Sequence, residues 1–493
     1  MDAISWVVVY PEILLLVMTC VIALADVSLK ATSRPLTFVL TLMTLAAVAL
    51  VQAYYATQDH VLFGFSGLVI SDPMGNWLKC FAALAVMVSL IYGRDYAKSR
   101  DMLRGGELYT LALFALLGMF VMIGGHNFLV IYLGLELLTL SSYAMVALRR
   151  DHLLATEAAM KYFVLGAMAS GFLLFGLSML YGATGSLDIA EVMARVAEGS
   201  ADPRVLTLGV VFVVAGVAFK FGAAPFHSWV PDVYDGSPTS VTLLIAAAPK
   251  LAAFALVMRL LVGGLLPLAF DWQQMVVVLA LASLVVGNFA AIAQTSFKRL
   301  LAFSTISQVG FVMLGLAGGV TDGDPSNAIN AYSATMFYVV TYVLTTLLTF
   351  GVMLHMSRSG FEADQIIDLA GLNRRSPLLA VVVAAAMFSL AGVPPLVGFY
   401  AKLAVLQSLL ASGSEAMLWV AIAAVVLSLI GAFPYLRVVK VMYFDAPVQS
   451  APLVGPAHVR RVLSLNTLLL LVLGLLPGGL LALCTQAIVR TLA

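Results

Sequence analysis

Uninterrupted apolar runs of about twenty residues, the length that crosses a bilayer as a helix, recur from one end of this chain to the other. Composition closes off the alternatives. Of 493 residues, 62% are hydrophobic and 10% are charged, less than half the charged share of an ordinary soluble domain. A soluble fold cannot hide that much apolar surface. The runs are continuous rather than alternating, which excludes a closed β-barrel. The expected class is an all-α polytopic membrane protein.

About fourteen transmembrane helices are expected, near 7–25, 36–55, 77–93, 108–124, 128–148, 155–182, 204–224, 238–262, 274–294, 299–318, 329–356, 376–411, 416–443 and 462–490. The N-terminus has no positive n-region and no small-residue cleavage site, so the first run is expected to be a retained span. A net charge of +1 offers no footprint for nucleic acid. Cys20, Cys80 and Cys484 lie far apart with no C-x-x-C, so neither an iron–sulfur cluster nor any other metal site is expected here. The phosphate-binding G-x-x-x-x-G-K-[ST] loop and the H-E-x-x-H helix are missing, against a nucleotide-driven pump or a membrane metalloprotease.

Lys and Arg orient the spans. With the N-terminus outside, the inner loops collect Lys30, Arg34, the group Arg94 to Arg104, Arg149, Arg150, Lys298, Arg299, Arg358, Arg374, Arg375, Arg437, Lys440, Arg460 and Arg461. The outer side keeps Lys79, Arg195, Arg204, Arg259 and Arg490. Lys161, Lys220, Lys250 and Lys402 remain, and all fall inside apolar runs.

A lysine at the centre of a span costs about 2.5–3.5 kcal/mol on the insertion scale. Glu136 stands eight residues into its span, about 12 Å deep. Lys250 stands about 18 Å along its helix, near mid-membrane, too deep to snorkel. Pro249 before it removes a helix hydrogen bond and crowds the carbonyl of Ile245, which predicts a kink beside the charge. Lys220 precedes Gly222, Pro225 and Pro231, predicting a helix break near 222–231. Lys402 follows Gly392, Pro394 and Pro395, predicting a second near 392–398. Loosened backbone at membrane depth is tolerated where it lines a cavity or is buried in protein. Two breaks in corresponding positions point to inverted repeats. These would be five-helix units over 108–262 and 274–443, flanked by three helices over 1–107 and a loop plus last helix over 444–493. Glu157 lies one turn before Lys161 in the favourable ion-pair orientation. That pair is either a station for proton uptake or an interfacial salt bridge, since Lys161 is shallow enough to reach the interface. His227 either bonds carbonyls freed by the break or passes a proton. His355 reads as interfacial, and His60, His126, His152 and His458 read as loop residues.

An ordinary lysine titrates near 10.4. Burial lowers that value by up to about 3–5 units and a nearby carboxylate raises it again, so a lysine with a switchable Glu is an adjustable proton store. A three-unit change is worth about 4 kcal/mol, comparable with about 2.3 kcal/mol per charge per 100 mV of membrane potential. Water-linked Glu136, Lys220, Lys250 and Lys402 would form a charged axis along mid-membrane.

At these residues the sequence resembles the antiporter-like membrane subunits of respiratory complex I, over nearly the whole chain. The match is most specific in Phe219-Lys-Phe-Gly-Ala-Ala-Pro-Phe-His-Ser-Trp-Val-Pro-Asp-Val-Tyr-Asp-Gly-Ser-Pro. Lys298-Arg-Leu-Leu-Ala-Phe-Ser-Thr-Ile-Ser-Gln-Val-Gly and Leu390-Ala-Gly-Val-Pro-Pro-Leu-Val-Gly-Phe-Tyr-Ala-Lys support it. The largest such subunit carries a long C-terminal lateral helix, whereas this chain stops soon after its last span. The middle one usually has Glu where this chain has Lys402. The resemblance implies fourteen helices with two inverted five-helix repeats. It also implies a proton path through Glu136, Lys161, Lys220, Lys250 and Lys402, with Glu157 and His227 as secondary positions. It further implies a translocase subunit in the bacterial inner membrane, its N-terminus periplasmic, that binds no cofactor. NADH, FMN, iron–sulfur clusters and quinone would belong to partner membrane and peripheral subunits. The alternatives are a subunit of a multi-subunit cation/proton antiporter or of a related membrane-bound hydrogenase, and a purely structural spacer.

Overall fold

The structure is a computed structural model that describes residues 3–29, 33–321, 323–448 and 456–492; Lys30, counted above among the inner-side cations, lies outside them. The N-terminal group is α1 (Ala3–Val27), α2 (Pro35–Thr57) and α3 (Pro73–Ser99), with a short antiparallel hairpin of β1 (Leu62–Gly64) and β2 (Val69–Ser71) before α3. Next come α4 (Glu107–Gly124), α5 (Phe128–Val146), α6 (Leu153–Thr184), the short α7 (Ile189–Ala197) and α8 (Pro203–Phe221). After a break follow α9 (Trp229–Gly236), α10 (Thr239–Ala246) and α11 (Ala248–Val257), the last running into a π-helical turn, Met258–Gly264. The second half holds α12 (Ala269–Ile292), α13 (Phe297–Ala317), α14 (Ala328–Met356), α15 (Leu372–Arg375), α16 (Pro377–Ala391), α17 (Val397–Ala411) and α18 (Glu415–Phe444). The chain closes with α19 (Ala457–Leu475) and α20 (Gly478–Leu492).

Among the described residues, thirteen helical segments are long and apolar enough to cross a membrane. α16 and α17 have 15 residues each; end to end they complete a fourteenth crossing, matching the expected number. Polar caps set the starts: the side chains of Asp72, Asn127, Asp202 and Ser296 accept first-turn N–H groups of α3, α5, α8 and α13. The segment α10–α11 and helices α13 and α14 run through the centre almost wholly covered by protein, whereas α1, α18 and α19 show most of their surface. The central helices are therefore the ones able to carry charge out of reach of lipid.

Close backbone approach builds the two halves alike. Between α4 and α5, a Cβ on Gly118 or Gly134 would collide with the opposing backbone, and between α12 and α13 a Cβ on Gly287 would stand 2.5 Å from the Ser307 nitrogen. Small residues at such crossings let membrane helices gain packing where hydrophobic segregation gives none.

Several expectations need correction. Pro231 does not interrupt a helix: it lies in the first turn of α9, where its missing N–H goes unused, so the first break covers 222–228 and the second 392–396. The expected single last span is two helices, parted where Leu476 and Pro477 end α19. His458 is in the first turn of α19 rather than a loop. Lys79 and Arg259, counted on the outer side, are buried in the protein: Lys79 pairs with Glu12 at 2.5 Å and Arg259 with Asp72 at 2.7 Å. Lys298 is likewise buried and donates to the carbonyls of Asp235 and Ser237 at 3.0 and 2.7 Å. A charge near a helix end reads as a loop charge until a partner from another helix is seen beside it.

Candidate proton-transfer site

The first break begins where Gly222 takes a left-handed conformation (φ 77°) and its N–H closes the end of α8 onto Ala218 and Phe219. Carbonyls left without helical partners are taken by side chains. The Lys250 ammonium donates to the Phe221 carbonyl at 2.7 Å, and the Trp229 indole adds a second donor, at 3.0 Å, to the Phe219 carbonyl that Gly222 already bonds. Lys250 is buried in the first turn of α11. The kink expected there is real, since α10 ends at Ala246 and α11 restarts with Pro249 in its first turn. Trp229 stacks on Tyr162 at 4.8 Å between ring centres and carries the Lys250 ammonium 5.9 Å from its own.

Lys220, in the last turn of α8, donates no hydrogen bond to the described residues. It lines a cavity of about 20 Å³ with Thr139, Tyr143, Tyr162, Ser170 and Trp229, room for one water. Glu136 and Lys250 are both within electrostatic reach of Lys220. Glu136, half-buried on α5, keeps one carboxylate oxygen buried and unpartnered while Thr139 approaches the other at 3.4 Å.

The second break repeats the device with different parts. Gly392 is left-handed (φ 83°) and closes α16 onto Phe388 and Ser389. The ammonium comes from α17 itself: Lys402 donates to the carbonyls of Leu390 and Ala391 at 2.9 and 3.2 Å and to Ser428 Oγ at 2.9 Å. Gln308 also donates to the Leu390 carbonyl, at 3.1 Å, and accepts a short hydrogen bond from Tyr338. Gln308, Tyr338, Thr341, Tyr342, Thr345 and Ser389 line a cavity of about 10 Å³. Tyr342 donates to Thr305 at 2.8 Å and is within electrostatic reach of Tyr234, whose ring packs against Trp229. A run of hydroxyls and one amide thus lies between the Lys250 and Lys402 neighbourhoods.

Residues 125–431 match the family model of the NADH:quinone oxidoreductase/Mrp antiporter transmembrane region. The chain is 62% identical to NADH-quinone oxidoreductase subunit N of Polaromonas naphthalenivorans (strain CJ2), over 99% of this chain and 98% of that one. It belongs to the subunit N family. A chain in the structure of respiratory complex I from Thermus thermophilus with bound Aureothin superposes with a TM-score of 0.80 at 32% identity, covering 96% of this chain and 98% of that one. A chain of the Mrp complex from Dietzia sp. DQ12-45-1b superposes with a TM-score of 0.81 at 20% identity, over 99% and 97%, and shows the shared fold alone. Subunit N is also the family member that the stretches Tyr132-Leu-Gly-Leu-Glu-Leu-Leu and Glu157-Ala-Ala-Met-Lys-Tyr-Phe resemble.

In this subunit N fold, the expected residues do not form one cluster. Glu136, Lys220 and Lys250 come together around the first break, and Lys402 sits at the second. Lys161 pairs with Glu157 at 2.8 Å and with Asp232 of α9 at 2.9 Å, with 44% of its side chain exposed. Arg299 holds the other oxygen of Asp232 at 3.2 Å. His227 makes no hydrogen bond with any of these lysines, and its Nδ1 is buried without a partner. Glu362 escaped the sequence reading. Its carboxylate accepts from Tyr96 at 2.8 Å, Arg100 at 2.8 Å and Thr239 at 2.7 Å. Burial pushes its pKa up, but the Thr239 bond, the Lys298 ammonium and the Tyr96 and Arg100 bonds outweigh it and hold the group below the usual carboxylate range. Gln308, Tyr338, Tyr342, Ser389 and Ser428 also went unseen, because hydroxyls and amides occur throughout spans and only contact distinguishes them. Among the described residues no His, Cys, Asp and Glu group could hold a metal ion.

Proposed function

We propose that this chain, as a membrane-arm subunit of NADH–quinone oxidoreductase, moves protons through Glu136, Lys220, Lys250 and Lys402. The observation that carries the proposal is the ammonium held at the carbonyl end of each broken helix. A lysine whose only hydrogen-bond partners are neutral carbonyls and a hydroxyl has no carboxylate to hold its proton permanently, so a nearby charge can change its affinity. Glu136 supplies such a charge for Lys220. The small cavities and the Tyr234–Tyr342–Thr305–Gln308 hydroxyl and amide run give water and side-chain sites for transfer between the two lysine neighbourhoods.

In this reading the two halves are inverted five-helix repeats over 108–262 and 274–443, with 1–107 and 444–493 flanking them. Lys161 with Glu157, and His227, serve as secondary positions at the approach to the first break. The chain itself carries no cofactor; NADH, FMN, iron–sulfur clusters and quinone sit in partner subunits. It lies in the bacterial inner membrane with its N-terminus on the periplasmic side, the orientation that gathers most cations on the inner side.

The test is Lys220→Ala in the assembled enzyme. Proton pumping driven by NADH oxidation should fall on the order of tenfold, which corresponds to about 1.4 kcal/mol of lost transition-state stabilisation. Unchanged pumping with normal assembly would remove the lysine axis. Cation-dependent proton flux through the chain reconstituted alone would instead favour an antiporter.

A further inference from the structure

Outside the lysine axis a cavity of about 360 Å³ lies between the α3–α4 connection and the α5–α6 connection. Its wall carries Arg100, Arg104, Arg149, Arg150 and His152 together with Asp101, Glu107 and Asp151. The arrangement is not an even mixture. The three carboxylates are exposed, whereas Arg100, Arg149 and His152 are half-buried, so the poorly solvated charged or polar groups of the wall are all nitrogen bases. Arg100 is engaged with Glu362 and the Phe361 carbonyl. The guanidinium groups of Arg104, Arg149 and Arg150 have no hydrogen bond or ion pair with the described residues. His152 accepts the Ala155 N–H on Nδ1 at 3.4 Å, which leaves Nε2 as a donor in the neutral ring. Burial, then Arg149, lower the pKa of His152 and keep it in that neutral form.

Guanidinium groups without protein partners around one concavity are matched to phosphate oxygens, which accept their paired N–H groups. Two sources present that chemistry: a lipid headgroup and free phosphate. The surroundings favour lipid. Ala144, which lines the cavity, is exposed, and so are Leu140 one turn before it on α5 and Leu153 and Leu154 directly after His152 on α6. An apolar surface therefore continues from the charged wall, where acyl chains would lie. We infer that this cavity binds the phosphate headgroup of an anionic phospholipid, held by Arg104, Arg149 and Arg150. The site is independent of the proton path, and its readout is bound lipid, not pumping.

The experiment uses the delipidated, assembled complex, titrated with phosphatidylglycerol, phosphatidylcholine or inorganic phosphate and read by native mass spectrometry. Phosphatidylglycerol should bind in preference to phosphatidylcholine, and each neutralised arginine should weaken that binding roughly fivefold. Arg104→Gln and Arg150→Gln are exposed single changes that leave folding intact, and the triple variant with Arg149→Gln should lose the lipid. Asp151→Asn should bind at least as tightly as the unaltered complex. Equal phosphatidylglycerol retention in the unaltered complex and both single variants would overturn the site. Displacement of the lipid by millimolar inorganic phosphate would overturn the lipid assignment.

Discussion

The two broken helices solve one backbone problem with different side-chain supplies. Each opens at a left-handed glycine, Gly222 or Gly392, and each leaves carbonyls facing the interior. At the first, one ammonium from a separate segment reaches one carbonyl, and a second lysine stands beside it with no hydrogen bond of its own. At the second, a single lysine from the continuing half-helix holds two carbonyls and a serine hydroxyl. The first site thus has a spare ammonium within electrostatic reach of a carboxylate, and the second has one ammonium closely held by carbonyls and a hydroxyl. A shared backbone motif does not make equivalent sites: what arrives from neighbouring helices determines how closely each ammonium is held.

The sharpest way to break this comparison is to keep the donor and remove the charge. Lys250→Gln and Lys402→Gln retain an N–H group for the carbonyls. Assembly should survive in both, while NADH-driven pumping falls on the order of tenfold or more, about 1.4 kcal/mol per decade. Pumping retained in either would make that lysine a structural cap. Next in size, the glycines should differ. A Cβ on Gly222 would stand 2.5 Å from Val230 Cγ2, whereas one on Gly392 meets the flexible Lys402 chain at 2.9 Å. Both substitutions carry the left-handed cost of about 1–2 kcal/mol. Gly222→Ala should therefore lower the thermal midpoint of the purified complex further than Gly392→Ala; the reverse order would show that the second break is the tighter one.

Glu362 ties the halves together, since it joins α3 and α10 to the connection after α14. Its depressed pKa adds stability that is fully present above the unfolded carboxylate value, about 4.3, and is lost as pH falls through the folded one. The stability gap between the unaltered enzyme and Glu362→Gln, followed by thermal unfolding, should be largest near neutral pH and close under acid. A gap that widens under acid would reverse the sign. The smallest effect is expected from Ser428→Ala, which removes one of three acceptors from Lys402 and should change pumping about twofold, the scale of a modest net hydrogen-bond loss.

Much of this was legible without coordinates, and for one reason. In a chain with so few charges, a lysine or glutamate inside an apolar run stands out, and glycine and proline clusters mark where a helix must stop. That logic located both breaks and singled out Glu136, Lys220, Lys250 and Lys402, of which Lys250 and Lys402 meet carbonyls at the breaks. It did not reveal that Lys79, Arg259 and Lys298 are buried against partners, because near a span end a cation bound for water and one bound for a buried partner look the same. It could not find Glu362 or the hydroxyls around Gln308, whose residue types carry no penalty large enough to demand an explanation.

The sequence alone determined that the chain crosses the membrane many times, where the helices break, and which charges are too deep to be accidental, because each of these follows from the local cost of placing groups in hydrocarbon. Only the tertiary structure decided which carbonyl each ammonium meets, that Lys220 is left without a hydrogen bond while Lys402 has three, and which cations are buried in pairs. Those outcomes depend on contacts between helices far apart in the chain, and no local pattern encodes them.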